Sequence, residues 1–435
     1  MYTDQPGCEF WKLRCIVAAF SVGTCILMYP IARRLGASPA GAALATALET
    51  FNIMHNVEGR LVLLNSQLLF WGSATLYGGL RWFARANAAR RAGERVPLGE
   101  RLAWAAGVGF LGGNAFSIKH TGLATPGLIG VEAALGAFAL LEQPLHLLDL
   151  AVYVVSMTLT YALWFGFHFW CMIYSHGTLK QEEEFMTPQF QSLLIGSKLY
   201  DPAAKWTEGF WWTTWTFNLR MVAHSAATTQ PHDWGSRPFD WIFNLRGVSY
   251  WGSTMGTAPD GAAIYLFGNP LAVWGILGAI ALCAVCAALA ARTAHYTSLP
   301  LVTYFRGHWR AAAPALALVF AGWALNLLPY AAINRTTFAY HYMPALVCVG
   351  GWCAPRSCSS SRPQLPRRPP PRRYGNLLVA LSVEKLSDAL LLGWLGPLVT
   401  TLATGGVWWY YRAWIYAIPL TVEQHEAMRW LPRWN

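Results

Sequence analysis

The segment from Ser175 to Asn269 combines polar side chains that could bind an anion with many tryptophans. The tryptophans are Trp206, Trp211, Trp212, Trp215, Trp234, Trp241 and Trp251. The interleaved polar residues are His176, Gln189, Gln191, Arg220, His224, His232, Asp233, Arg237 and Arg246. Aromatic rings suit the apolar part of a ligand, and cationic or hydrogen-bond-donating groups suit a phosphate. The pattern predicts amphipathic helices along a membrane surface, with a site for a lipid-linked substrate.

A second set of polar residues lies at the edges of long apolar runs. It consists of His55, Arg60, Lys119, His120, His168, Arg335 and His341. Charged groups at such depths in a membrane are costly and commonly functional. For any one of them, a structural role or extension of the side chain to the interface explains the position equally well. Their clustering on one side of the predicted bundle favours a functional role.

The elements that position these residues are membrane-spanning helices. Of the 435 residues, 55% are hydrophobic and 12% are charged, whereas a soluble domain has about 25% charged residues. Apolar runs near the ~20 residues that a spanning helix needs recur along the chain, and we predict about ten spans. They begin near Ile16, Ala37, Leu61, Leu102, Thr125, Leu147, Leu271, Ala311, Phe338 and Leu386. The runs near Ala37 and Thr125 are the weakest, because each contains a glutamate, Glu49 and Glu132.

Arginine-rich loops predict the orientation of the bundle. The arginines are Arg33 and Arg34; Arg81, Arg85, Arg90, Arg91, Arg95 and Arg101; Arg292, Arg306 and Arg310; and Arg356, Arg362, Arg367, Arg368, Arg372 and Arg373. Each group follows an odd-numbered span, so all four loops should face the cytoplasm. This divides the chain into an N-terminal bundle of six spans (1–174), a luminal tryptophan-rich segment (175–269) and a C-terminal bundle of four spans (270–435). The last part contains a basic cytoplasmic loop (353–374) and ends in a luminal tail.

The net charge of +11 therefore indicates contact with membrane lipid and not with nucleic acid. The 23 Trp and 18 Tyr likewise suit membrane interfaces better than base stacking. The nine cysteines show no spacing typical of a metal site. We predict neither a metal ion nor a bound cofactor.

Several motifs resemble those of the protein O-mannosyltransferase family, in the same order along nearly the whole chain. They are RLVLLNS (60–66), SIKHTGL (117–123), FMTPQFQ (185–191) after His168–Phe169, HDWGSRPFDWIFNLRGVSYW (232–251) followed by IYLFGNP (264–270), FAYHYMP (338–344) and MRWLPRW (428–434). The family patterns that they match include R-x-x-L-L-D-S, F-M-S-P-x-F-Q and S-R-P-x-x-W. Any one match is weak, but six in order make the resemblance specific.

The resemblance implies an all-α, polytopic C-type glycosyltransferase fold, with about eleven membrane helices in the family. It implies transfer of mannose from dolichyl phosphate mannose to Ser or Thr hydroxyls of secretory proteins in the endoplasmic reticulum lumen, with inversion at the sugar carbon. It also implies a homodimer or a heterodimer with a family member. By their match to the motifs or their position, the candidates for binding the donor phosphate or substrate are Arg60, Lys119, His168, Gln191, His232, Arg237, Arg246 and His341.

Three departures from the family pattern affect the expected activity. The family's catalytic Asp-Glu loop is expected before Met1, and Asp4 and Glu9 lie near that position without matching the motif. Asn65 stands where the family has the aspartate of L-L-D-S, and an amide cannot act as a base. No MIR domain follows Leu199. A non-catalytic membrane subunit that pairs with a competent relative is therefore the alternative to a transferase.

Overall fold

The computed structural model describes residues 9–35, 37–138, 145–175, 185–252, 261–292, 322–347 and 393–434. Most of these residues are helical. The helices are α1 (Phe10–Arg34), α2 (Pro39–Thr50), α3 (Ile53–Glu58), α4 (Asn65–Ala92), α5 (Leu98–Ile118), α6 (Ala124–Ala137), α7 (Leu147–Cys171), α8 (Pro188–Gln191), α9 (Phe210–Ala227), α10 (Pro238–Ile242), α11 (Pro270–Arg292), α12 (Pro329–Ala332), α13 (Met343–Val347), α14 (Leu395–Tyr410), α15 (Arg412–Tyr416) and α16 (Val422–Met428). The strands are β1 (Val248–Trp251) and β2 (Ile264–Leu266), and 3₁₀ turns lie at His120–Leu123 and Ala339–Tyr342.

Within the ranges that the structure describes, two helices combine the length and the hydropathy of a membrane span. Helices α1 and α7 each have 25 residues, with mean hydropathies of 2.0 and 1.6. At ~1.5 Å per residue each is about 38 Å long, enough for a hydrocarbon core of about 30 Å. Helix α7 exposes Val155, Leu159 and Leu163, as a helix facing lipid would.

The predicted count of ten spans is not confirmed. Helices α2 and α6 have 12 and 14 residues, short of the ~20 that a span requires. They correspond to the two apolar runs, near Ala37 and Thr125, that were the weakest predicted spans because each contains a glutamate. The predicted span near Ala311 begins outside the described residues, the span near Leu386 is described only from residue 393, and the basic loop 353–374 lies wholly outside them.

The glutamate of α2 is accommodated by an ion pair inside the bundle. Glu49 is fully buried, and its Oε1 lies 2.7 Å from Nδ1 of His55. On the other side of the ring, His55 Nε2 lies 2.7 Å from the hydroxyl oxygen of Ser21 on α1. Asn52 fixes α3 by accepting a hydrogen bond from the Met54 amide at 3.1 Å. A polar chain thus joins α1, α2 and α3.

Glycines bring α5 and α7 into close contact. A Cβ at Gly109 would lie 2.4 Å from the carbonyl oxygen of Tyr153, and one at Gly113 would lie 2.5 Å from Cβ of Thr160. Small residues four positions apart allow helix backbones to approach closely in a membrane. A side chain at either position would push the helices apart.

Helices α4 and α5 are antiparallel, and different polar residues lie at the two ends of this pair. At one end, Nζ of Lys119 donates to Oδ1 of Asn65 at 2.5 Å. At the other end, Nε of Arg85 donates to Oε1 of Glu100 at 2.6 Å. Gly93, with φ of 71°, ends α4 in the left-handed conformation and allows the turn. The arginine-rich loop and the SIKHTGL motif (117–123), which contains Lys119, therefore lie at opposite ends of α4 and α5.

The tryptophan-rich segment is not all helical. Helix α9 forms as expected and exposes Trp211, Trp212 and Trp215. However, β1 and β2 form an antiparallel hairpin that pairs Val248 with Leu266, so the expectation of an all-α chain needs this local correction. Its physical reason is the run of β-branched and aromatic residues in both segments, which favours strands.

The C-terminal residues pack on the same end of the bundle as this hairpin. Nη1 of Arg433 lies 2.7 Å from Oδ1 of Asp240. The indole of Trp434 is fully buried, donates to the Asn244 carbonyl at 2.6 Å and lies 4.6 Å from the Phe267 ring. The tail and the tryptophan-rich segment thus share a side of the protein.

Candidate functional site

A buried polar cluster forms where α3, α4, α5 and β1 meet; we call it the Lys119 cluster, and it consists of Glu58, Asn65, Lys119, Tyr250 and Tyr340. The Glu58 carboxyl is fully buried and its Oε1 accepts a hydrogen bond from the Tyr250 hydroxyl at 2.5 Å. Among the described residues, Oε2 of Glu58 has no hydrogen-bond partner. The Lys119 ammonium lies 5.5 Å from the centre of the Tyr340 ring. The cluster therefore combines a fully buried acid with a cation and two phenols that are each half-buried.

Local structure explains why these side chains converge. Glu58 is the last residue of α3, and Asn65 is the first of α4. Lys119 follows the last residue of α5 in extended conformation, so its side chain is free to turn back toward Asn65. Tyr250 lies between Ser249 and Trp251, which pair with β2, and Tyr340 belongs to the 3₁₀ turn Ala339–Tyr342. Five separate elements must fold before the cluster exists.

Burial dominates the electrostatics of the cluster. It raises the pKa of the Glu58 carboxyl, although Tyr250, Asn65 and Lys119 oppose the shift. It lowers the pKa of the Lys119 ammonium, which Glu58 opposes and Arg335 reinforces. Burial, and then the charge of Glu58, raise the pKa of the Tyr250 hydroxyl. A buried cation whose charge is only partly compensated favours an anionic ligand such as a phosphate.

The segment 333–341 connects two further predicted site residues to this cluster. Nη1 of Arg237 donates to the Ile333 carbonyl at 2.8 Å. The ring of His232 lies edge-on to the Phe338 ring, with centroids 5.1 Å apart. Because Tyr340 of the Lys119 cluster belongs to the same segment, His232 and Arg237 adjoin the cluster through its backbone.

His341 and Arg246 serve mainly to hold this region together. Nδ1 of His341 lies 3.1 Å from the Phe338 amide nitrogen, and its ring stacks on Trp241 with centroids 6.0 Å apart. Nη2 of Arg246 donates to the Asp233 carbonyl. Nε of Arg246 is buried without a hydrogen-bond partner among the described residues, so this guanidinium retains a donor for a ligand.

Arg60 lies two residues beyond Glu58 and is tied to α15. Nη1 donates to the Ile415 carbonyl, and the guanidinium lies 4.4 Å from the centre of the Tyr416 ring. Burial lowers the pKa of Arg60, and the nearby charge of Arg14 lowers it further. Since Arg14 is in the second turn of α1, the start of α1 lies at the same end of the bundle as the Lys119 cluster.

His168 lines a separate aromatic cavity of about 370 Å³, and Gln191 lies beside that cavity. His168, Phe185, Met186 and Phe217 line this cavity. The side-chain amide of Gln191 donates to the Met186 carbonyl at 3.0 Å and so supports the wall. Apolar walls with one imidazole suit a hydrocarbon chain better than a phosphate.

Sequence reasoning did not single out Glu58 or Tyr250 as site residues. Glu58 stands two residues before Arg60, between two apolar runs, and an acid in that context is costly unless it has a partner. This cost of placing an acid between apolar runs was the signal in the sequence that could have identified Glu58. The partner, 192 positions away, could not be inferred from spacing. Within the described residues, no group of three or more His, Cys, Asp and Glu side chains is arranged to hold a metal ion.

Comparison with known proteins agrees with the fold. The family model described as "C-terminal four TMM region of protein-O-mannosyltransferase" matches residues 210–434, and the model "Dolichyl-phosphate-mannose-protein mannosyltransferase" matches residues 2–173. These matches define a multi-pass membrane protein of the glycosyltransferase class. The chain belongs to the protein O-mannosyltransferase family.

Individual relatives are similar over limited regions. Dolichyl-phosphate-mannose–protein mannosyltransferase 5 of Candida albicans is 22% identical over 48% of this chain and 26% of its own length. Protein O-mannosyl-transferase 1 of Homo sapiens is 33% identical over 29% of this chain and 16% of its own length. The matched regions thus span about a quarter or less of these relatives.

A solved structure shares the fold over almost the whole chain. It is the Saccharomyces cerevisiae protein O-mannosyltransferase Pmt1-Pmt2 complex bound to the sugar donor, with a TM-score of 0.72 and 14% identity. The match covers 97% of this chain and 80% of the other. The predicted membrane glycosyltransferase fold is therefore confirmed.

Proposed function

We propose that the chain acts in protein O-mannosylation, transferring mannose from dolichyl phosphate mannose to Ser or Thr hydroxyls of secretory proteins with inversion at the sugar carbon. The observation that carries the proposal is the half-buried Lys119 ammonium, which donates to Asn65, lies over the Tyr340 ring and shares a polar cluster with the buried Glu58 and with Tyr250 of the tryptophan-rich segment. The family relation supplies the donor and acceptor. The proposed location is the endoplasmic reticulum membrane, with the site facing the lumen.

The reaction joins the acceptor oxygen to the first carbon of mannose while the bond from that carbon to the phosphate oxygen breaks. The electron pair of the broken bond leaves with dolichyl phosphate, and the hydroxyl proton passes to a carboxylate. In this proposal the Lys119 ammonium and the Arg246 Nε–H, which has no hydrogen-bond partner among the described residues, stabilise the departing phosphate. Glu58 is fully buried and already accepts a hydrogen bond from the Tyr250 hydroxyl, so we assign it the role of counter-ion to Lys119.

The proton acceptor should therefore be a carboxylate outside the Lys119 cluster. Glu9 immediately precedes α1, whose start lies at this end of the bundle; Asp4 lies outside the described residues. The other source is an Asp-Glu loop of the family type, on an upstream segment or on a partner. A carboxylate base contributes about 10²–10⁴-fold to such a reaction.

The test measures binding and transfer separately on the purified chain in lipid nanodiscs. We expect the chain to bind radiolabelled dolichyl phosphate mannose and to transfer no mannose to a Ser/Thr peptide. An Asp-Glu loop fused upstream, or supplied by a co-expressed relative, should restore transfer. Transfer by the chain alone that disappears in an Asp4→Ala, Glu9→Ala variant would identify those acids as the base. Absence of donor binding by folded protein would refute the function itself.

Two arginine substitutions test the donor-phosphate site directly. Arg237→Ala and Arg246→Ala should each weaken donor binding, because each removes a charge-assisted contact worth about 1.5–3 kcal/mol. Each arginine also donates to a backbone carbonyl, so the thermal unfolding midpoint is measured in parallel. Normal donor affinity in both folded variants would exclude these arginines from the phosphate site.

A second candidate function is that of a non-catalytic subunit. It is favoured by one observation, that the solved relative with this fold is a complex of two family members. In this case the chain would form a heterodimer and contribute donor or acceptor binding. Co-expression of the chain carrying a fused Asp-Glu loop with a relative whose own Asp-Glu loop is replaced by alanines distinguishes the two. A catalytic chain should sustain transfer in this pair, whereas a non-catalytic subunit should not.

A further inference from the structure

A second cavity lies at the opposite end of the bundle from the Lys119 cluster. Its volume is about 480 Å³, and the ends of α4, α5 and α7 form its walls. Four arginines and two tryptophans stand out among its lining residues: Arg85, Arg90, Arg95, Arg101, Trp82 and Trp104. Helix α4, 28 residues or about 42 Å long, separates this cavity from the Lys119 cluster.

Two of the arginines are fixed by carboxylates and shape the cavity. Arg85 forms two hydrogen bonds with Glu100, of 2.6 and 2.9 Å. Arg101 lies 2.8 Å from Oδ1 of Asp149, whose side chain is fully buried. Because these pairs are satisfied, their guanidinium groups hold the walls in place.

The charge around the cavity remains positive after this pairing. Six arginines lie between positions 81 and 101, against the two glutamates of the same stretch and Asp149. Three positive charges are therefore in excess. Arg90 and Arg95 line the cavity and are largely exposed, so their charged groups can reach a ligand at its rim.

The cavity is not uniformly polar. Val96 and Trp104 line the cavity and are partly exposed, so they give it an apolar surface. Trp82, which is 2% exposed, lies beneath them with its ring tilted against Tyr153 and ring centroids 6.0 Å apart. A free inorganic anion would leave such a surface uncovered, whereas an amphiphile would cover it with hydrocarbon and present its anionic group to the arginines.

We propose that this cavity binds the headgroup of an anionic phospholipid from the leaflet that surrounds it, with the phosphate at Arg90 and Arg95 and the adjoining hydrocarbon on Val96 and Trp104. Basic pockets between membrane helices bind lipid phosphates through charge-assisted hydrogen bonds. This site is separate from the mannosyl donor site, and the proposal does not depend on the chain's catalytic activity.

The experiment is native mass spectrometry of the purified chain with dioleoyl phosphatidylinositol or dioleoyl phosphatidylcholine added. We expect the chain to retain phosphatidylinositol more tightly than phosphatidylcholine. In an Arg90→Gln, Arg95→Gln variant, the affinity for phosphatidylinositol should be lower by about tenfold or more, which is equivalent to one charge-assisted contact. The matched control is an Arg34→Gln, Arg91→Gln variant. It removes the same charge from exposed positions that do not line the cavity.

Three outcomes would overturn the proposal. The first is equal retention of the two lipids. The second is an equal loss of affinity in the control variant, which would indicate an effect of general surface charge. The third is displacement of the lipid by inorganic phosphate at millimolar concentration, which would indicate a site for free phosphate. Both variants leave the Arg85–Glu100 and Arg101–Asp149 pairs intact, so they should fold as the unmodified chain does.

Discussion

Replacing Lys119 by Met should destabilise the protein in a way that depends on pH. The substitution removes the hydrogen bond to Asn65 and the cation whose charge offsets the buried Glu58 carboxylate. Without Lys119, the pKa of Glu58 should rise further above its ordinary value of 4.5. At pH 7 the added penalty is at most about 3.4 kcal/mol, because a carboxyl of ordinary pKa can be protonated for that free energy.

The sign follows from proton linkage. A carboxyl whose pKa is higher in the folded state binds more protons there, so stability falls as pH rises from about 4.5 through the folded pKa. The difference in unfolding free energy between Lys119→Met and the unmodified chain should therefore be small near pH 4.5 and largest above neutrality. Adding Glu58→Gln should remove the pH dependence, because Gln retains an acceptor for Tyr250 but carries no charge.

The assay is thermal unfolding in nanodiscs from pH 4.5 to 8 for the two single variants and the double variant. A coupling of about 0.5–3 kcal/mol between the substitutions is expected for groups in one network. Equal stability of Lys119→Met and the unmodified chain at pH 8 would contradict the role of Lys119 as counter-charge to Glu58. A loss of stability that is the same at every pH would also contradict it, as would a double variant with Glu58→Gln that recovers no stability.

Three other predictions concern the frame around the site. Arg101→Gln should lower the free energy of unfolding by about 3–5 kcal/mol, because it leaves the buried carboxylate of Asp149 without its cation. Trp434→Ala should lower it by a similar amount, about 3–5 kcal/mol, since it empties a fully buried site. Glycosylation reporters inserted after Arg91 should remain unmodified, whereas one inserted near Asp201 should be modified, if the arginine-rich loops face the cytoplasm.

Matched controls exist for each of these. Arg91→Gln, at an exposed position, should change stability by less than about 0.5 kcal/mol. Trp430→Ala should have a much smaller effect than Trp434→Ala, because Trp430 is 44% exposed. Modification of the reporter after Arg91 would reverse the proposed orientation, and equal effects of the paired variants would contradict the packing argument.

Much of the scaffold could be predicted from the sequence because it depends on local composition. The apolar runs predicted α1, α4, α5 and α7, and the arginine clusters predicted that Arg85 and Lys119 lie at opposite ends of the bundle. Motif resemblance predicted the family. These features need only the length of an apolar run or the order of residues.

The chemistry of the site could be predicted only in part. Lys119, His232, Arg237 and His341 lie around one segment, but His168 belongs to the aromatic cavity. Most partners of these side chains are backbone carbonyls or residues distant in the chain, and no spacing rule encodes such contacts. The β1–β2 hairpin was missed for a related reason, because its two short strands acquire their register from each other.

The Glu49–His55–Ser21 chain has a consequence for the biogenesis of the protein. A charged side chain in an apolar helix is costly when the translocon releases that helix into lipid. Glu49 is the penultimate residue of α2, and this helix has only 12 residues, so its hydrophobicity offers little compensation. The partners of Glu49 are His55 of α3 and, through His55, Ser21 of α1. We therefore expect the first three helices to enter the bilayer as one unit, with α1 and α2 kept together until α3 has emerged.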